Sequence, residues 1–81
     1  MNAEIIGAIV KLHRKTAGLT RVDLARLSGV GKTTIFDIEH GKETVQLKSL
    51  LLVFDALGIE IRLESRAMDT VKQLLTEGKR K

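Results

Sequence analysis

Apolar residues recur along this chain at two different periods, and the switch between them organises the reading. Ile6, Val10, His13 and Ala17 form one stripe, broadened by Ile5, Ile9 and Leu12, which predicts a first helix capped by Asn2, running to about Ala17 and ended by Gly18. Thr20 to Gly41 then holds two shorter helices around a tight turn. Thr20 offers an N-cap hydroxyl, Asp23 suits the positive end of the helix it opens, and Val22, Leu24, Ala25 and Leu27 supply an apolar face. Ser28-Gly29 ends that helix, because glycine takes the left-handed conformation without a side-chain clash. Lys32 to Glu39 predicts the next helix, with Ile35 and Ile38 inward and Lys32, Thr33, Phe36 and Asp37 on the opposite or flanking surface. Gly41 stops it. The spacing is that of a helix-turn-helix, although spacing alone leaves a plain helical hairpin in a small bundle equally open.

After a loop from Lys42 to Gln46, Leu47, Leu50, Leu51, Val53, Phe54 and Leu57 predict a fourth helix, apolar enough to be the central packing element and closed by Gly58. The period then drops to two. Ile59-Glu60-Ile61-Arg62-Leu63-Glu64 alternates strictly, which predicts a β-strand. The chain contains no second strand, so antiparallel pairing with the same strand of another copy is the cheapest way to satisfy its backbone. With a twofold axis at Ile61, that residue faces its mate, Ile59 faces Leu63, and Glu60 faces Arg62, all favourable pairs. An extended edge lying on its own core is the alternative. Beyond Ser65, the spacing of Met68, Val71, Leu74 and Leu75 suggests a fifth helix over Asp69 to Glu77, followed by a frayed basic end at Gly78-Lys79-Arg80-Lys81.

Eighty-one residues allow one domain, marginal alone because a chain this short buries only about 60 to 65% of its unfolded surface. The core must be aliphatic, since two Phe are the whole aromatic content. No apolar run approaches the roughly 18 residues that span a bilayer, and no signal-peptide layout is present. With no cysteine, disulfides and thiolate metal sites are excluded, which fits a cytoplasmic protein. The net charge of +4 is uneven: seven basic groups stand against four acidic ones in residues 1–42, four against six in residues 43–77, and three basic residues close the chain. The excess lies with the helix pair and the tail, where it would attract phosphate or merely be solvated.

Gly31-Lys32-Thr33 imitates the end of a phosphate-binding loop, but the required earlier glycine is Arg26 and no βαβ unit fits. His13 and His40 have no second ligand nearby, and no nucleophile set stands out. The chain therefore reads as a binding protein with no metal and no cofactor, not as an enzyme. For double-stranded DNA the roles follow from side-chain chemistry. Lys32 and Thr33 open the recognition helix and reach base edges, lysine donating to guanine and threonine offering a hydroxyl and a methyl. Asp37 accepts from a cytosine amino group, repels phosphate, or is only solvated. Arg21 and Lys42 are phosphate contacts, with Thr34 and His40 as weaker candidates, Thr34 alternatively only capping. Phe36 packs against thymine methyls or the sugar edge, or is half-buried structure.

Gly18 to Lys42, read as GLT-R-xxLA-xxSGV-x-K-xTI-xxIE-x-GK, resembles the Cro/repressor-type (xenobiotic-response-element) helix-turn-helix family over about residues 6 to 63. Gly41 to Leu63 is similar to the loop, fourth helix and closing strand of the HipB-type antitoxins. Arg21 and Lys32 replace the family's usual glutamines and His40 its asparagine, so a relative's DNA site cannot be borrowed. The resemblance implies an all-α, lambda-repressor-like domain of four to five helices with one C-terminal β-strand paired across a homodimer. The chain itself divides into a DNA-binding and dimerisation domain (1–64) and an extension (65–81) with a predicted short helix and a basic frayed end. The resemblance also implies a structural ion pair between Arg14 and Glu39, and a repressor that binds an inverted-repeat operator, controls its own operon and holds a HipA-type kinase toxin. A free-standing phage-type repressor, or a protein-interaction adaptor on the same fold, are the alternatives.

Overall fold

The computed structural model describes residues 1–79, and five helices account for most of them: α1 (Ala3–Thr16), α2 (Arg21–Ser28), α3 (Lys32–Glu39), α4 (Leu47–Ala56) and α5 (Met68–Lys79). The first helix begins where Asn2 Oδ1 accepts the Ile5 amide at 2.9 Å. The second opens on a reciprocal cap: Thr20 Oγ1 accepts the Asp23 amide at 3.0 Å and an Asp23 carboxylate oxygen accepts the Thr20 amide at 2.9 Å. The Thr20 amide, and after it the Thr20 hydroxyl, hold the Asp23 carboxyl below its usual pKa. Gly29, at φ +74°, then turns the chain toward α3.

The core is small and aliphatic: Val10, Leu24, Val30, Ile35, Ile38, Val53 and Phe54. α3 is the central element, packed against α1, α2 and α4, while α4 also lies on α2. The expectation that α4 holds the centre is therefore corrected. Its Leu47 and Leu51 are exposed, and only Val53 and Phe54 enter the core fully. Centrality falls to α3 because it packs on each of α1, α2 and α4 and buries Ile35 and Ile38 in the core they enclose.

The inward stripe of α1 also differs from the expected one. Gly7, Val10 and Arg14 face the interior, whereas His13 and Ala17 are exposed, and Ile5 and Leu12 lie largely in solvent. His13 spends its Nδ1 hydrogen bond on the Ile9 carbonyl of its own helix. The physical reason is the surface α1 meets, the C-terminal turn of α3, which presents backbone carbonyls and a carboxylate. A Cβ on Gly7 would lie 2.3 Å from the Ile38 carbonyl oxygen, so glycine is what lets the two helices approach. In α2, Leu24 and Ser28 are buried, while Val22 and Leu27 are not.

No strand is formed among the described residues. Residues 59–64 carry no regular structure: the Ile59 amide donates to the Phe54 carbonyl at 2.8 Å, and positions 60–64 enter no backbone–backbone hydrogen bond among the described residues. A single chain offers the segment no second edge, so alternation alone cannot make a ladder. The fifth helix begins one residue earlier than expected, at Met68, and continues through Gly78 and Lys79, so those two positions are helical and not frayed. Arg80 and Lys81 of the basic end lie outside the described residues. α5 has no extensive packing on α1 to α4, and Val71, Leu74 and Leu75 are exposed. None of the described helices is long and apolar enough to cross a membrane.

Candidate nucleic-acid interface

α3 divides into a buried face and an open one. Ile35 and Ile38 are sealed in the core, while Lys32, Thr33, Phe36 and His40 are exposed on the other side. The helix interior thus anchors the element and leaves its outer polar surface without a structural duty, which suits a helix laid edgewise in a major groove.

Beside this face, Thr34, Asp37 and Lys42 line one depression of about 330 Å³ with Thr44, Gln46 and Ser49. Lys42 Nζ is 3.4 Å from an Asp37 carboxylate oxygen, an exposed and weak pairing. Asp37 therefore has Lys42 as a neighbour on the loop side of α3.

Arg21 sits on the other flank. Its guanidinium carbon is 5.3 Å from the centre of the Phe36 ring, and Nε donates to Glu39 Oε1 at 3.2 Å. The Phe36 ring stacks on His40 with centroids 3.8 Å apart and planes 20° from parallel. The His40 Nδ1–H donates to the Phe36 carbonyl at 2.7 Å, which fixes the imidazole against its own helix. Arg21, Phe36 and His40 are thus one assembly on the surface.

Beneath that assembly lies the Glu39 carboxylate, whose side chain is wholly buried. Arg14 grips it with two bonds, Nε to Oε2 at 2.6 Å and Nη2 to Oε1 at 3.0 Å, and its Nη1 donates to the Leu19 carbonyl at 2.9 Å. Burial alone would raise the Glu39 pKa. The Arg14 bonds, with the charges of Arg14 and Arg21, outweigh it and hold the carboxyl below its ordinary value. The bond to Glu39 correspondingly raises Arg14 against the opposing effect of burial. One carboxylate therefore ties α1, the start of α2 and the end of α3 together.

The proposed ribbon, Ile59 to Leu63, is not part of this surface. Residues 59–62 border a separate apolar groove of about 400 Å³, with Ile6, Ile9, Leu50 and Phe54 in its lining. Three further contributions were not read from the sequence: the missing side chain of Gly7 that seats α1 on α3; the bond by which Ser28 Oγ, in the turn already placed there, accepts the Val30 amide at 3.1 Å; and the Arg21–Glu39 bond. A lone glycine one turn before Val10 was the available signal for the first.

Two short helices crossing at a glycine turn, the second anchored inside and open outside, define a helix-turn-helix protein. The chain belongs to the helix-turn-helix family HTH_3, which matches residues 10–63. It is similar to an uncharacterized HTH-type transcriptional regulator, y4mF, of Sinorhizobium fredii, at 43% identity over 56 residues covering 69% of this chain and 74% of that protein.

Proposed function

We propose that the protein is a sequence-specific DNA-binding transcriptional repressor of the cytoplasm, working as a homodimer on an inverted-repeat operator. The observation that carries this reading is the division of α3, with Ile35 and Ile38 buried and Lys32, Thr33 and Phe36 presented outward, in a chain of the helix-turn-helix family. Lys32, Thr33, Asp37 and Phe36 read bases. Arg21, Thr34, His40 and Lys42 meet phosphate. The named relative is a transcriptional regulator, which supports the same role here. No catalysis, metal or cofactor enters the reading.

Changing Lys32 and Thr33 together should abolish preference for a selected operator while leaving residual nonspecific binding, measured by fluorescence anisotropy. Specificity that survives the double change would overturn these base contacts. Against the adaptor alternative, log affinity should fall with log salt by about 0.9 per phosphate neutralised.

The homodimer is supported by the ribbon itself: its backbone at 60–64 is free of backbone–backbone bonds among the described residues, and Ile61 and Leu63 are 49% and 74% exposed. Two ribbons pairing about Ile61 would satisfy both and place the recognition helices about 34 Å apart, one turn of DNA. Sedimentation equilibrium at micromolar concentration should find dimers, and removing residues 59–64 should yield monomers with much weaker palindrome binding. We further propose an antitoxin that represses its own operon and holds a HipA-type kinase toxin, on the likeness of Gly41 to Leu63 to HipB-type proteins. Co-purification with the product of an adjacent kinase-like reading frame tests that role, and its failure would favour a free-standing repressor.

A further inference from the structure

The outer face of α3 carries an aromatic ring where a short polar side chain would serve a hydrated surface. Phe36 remains 45% exposed although it is stacked on His40 and lies beside the Arg21 guanidinium. Each support is itself held: the His40 imidazole by its bond to the Phe36 carbonyl, and Arg21 by its bond to buried Glu39. An exposed ring ordinarily keeps its side-chain freedom and loses it on binding. This ring is arranged beforehand, so contact made through it costs less entropy.

We infer that Phe36 is a preset apolar reader for the C5-methyl group of a pyrimidine in the major groove, with Arg21 and His40 as its positioning residues. The inference rests on the DNA-reading role proposed above. The chemistry is specific in three ways. The methyl is the one apolar feature among the base edges displayed in that groove, where every other readable group donates or accepts a hydrogen bond. A phenyl ring offers no hydrogen bond and would leave such a donor or acceptor unpaired. Lys32 and Thr33, one turn earlier on the same face, supply the polar contacts to neighbouring bases, so the ring adds a discrimination they lack. Thymine and 5-methylcytosine both carry this methyl, and the test must separate them.

Duplexes are selected by the purified protein from two random pools, one ordinary and one synthesised with 5-methylcytosine in place of cytosine. In the enriched site, each thymine is replaced singly by deoxyuridine and each 5-methylcytosine by cytosine, which removes the methyl and preserves pairing. One position per half-site should lose about fourfold in affinity, the value of one buried carbon, and the pool in which that position appears identifies the source. Phe36→Ala should bind its residual site with no methyl discrimination at that position. His40→Ala should weaken the discrimination, and His40→Phe, which restores a stacking ring without a charge, should recover it. A His40 acting only through phosphate would not be rescued in this way. Circular dichroism and a cooperative thermal melt close to that of the parent protein confirm that the variants are folded. Enrichment of a site with equal affinity for methylated and unmethylated bases at every position would overturn the inference alone. Failure to enrich any sequence would overturn the DNA-reading proposal, and this inference with it.

Discussion

Replacing Arg14 by methionine should cost about 3 to 5 kcal/mol of folding stability, the loss typical when one partner of a buried pair is removed and the other keeps its charge. The Glu39 side chain is fully enclosed and would retain only Arg21, whose side chain is 31% exposed and which offers one longer bond. A domain of this size has of order 5 to 10 kcal/mol in total, so the variant should be substantially less folded, with a urea midpoint shifted far down at unchanged slope. Replacing both Arg14 and Glu39 by methionine should recover much of the loss, because no buried charge is then stranded. The same carboxylate sets an acid dependence. Its pKa is lower in the folded chain than in the unfolded one, so the stabilisation is complete above the unfolded value of about 4.3 and is lost as pH falls through the folded value. Glu39→Gln should therefore flatten the acid side of the stability profile while lowering stability at neutral pH. An acid profile matching that of the parent protein would show that Glu39 is not the group responsible.

Gly7→Ala should destabilise by about 3 kcal/mol, the upper part of the usual range for overpacking, because the obstacle is backbone on both sides. The added carbon would fall 2.3 Å from the Ile38 carbonyl oxygen and 3.0 Å from that of Glu39, and neither can swing aside as a side chain would. The sign makes the test sharp. At an unconstrained helical position the same change gains about 1 kcal/mol from backbone propensity, so thermal melts should move in opposite directions at Gly7 and at a permissive glycine. An unchanged or raised melting temperature would mean that α1 and α3 are not in close backbone contact. Because Ile38 and Glu39 belong to α3, the damage should also reach DNA affinity, through the tilt of the recognition helix.

Local grammar was enough to find the helices. Asn2, Thr20 and Gly29 mark boundaries with chemistry that acts over three or four residues, so α1, α2 and α3 could be placed closely from the chain alone. Orientation was less legible, because it depends on what each helix meets. The apolar period placed His13 inward by counting hydrophobic neighbours, whereas the surface opposite α1 is polar and close, and selects Gly7 and Arg14 instead. Arg21 shows the same limit at the interface: its charge suggested phosphate, but its bond to Glu39 and its place beside Phe36 depend on the packing of α2 over α3. The ribbon at 59–64 carries a strand's alternation, yet a ladder requires a second edge that one chain does not supply.

The two faces of α3 have consequences for how such a protein changes over time. Ile35, Ile38 and Glu39 hold the scaffold, while Lys32, Thr33 and Phe36 contribute nothing to the interior. On the proposed reading of these residues as base contacts, a change of DNA target can therefore proceed through substitutions that leave folding nearly untouched, so that novelty in recognition and persistence of architecture are inherited through separate sets of residues.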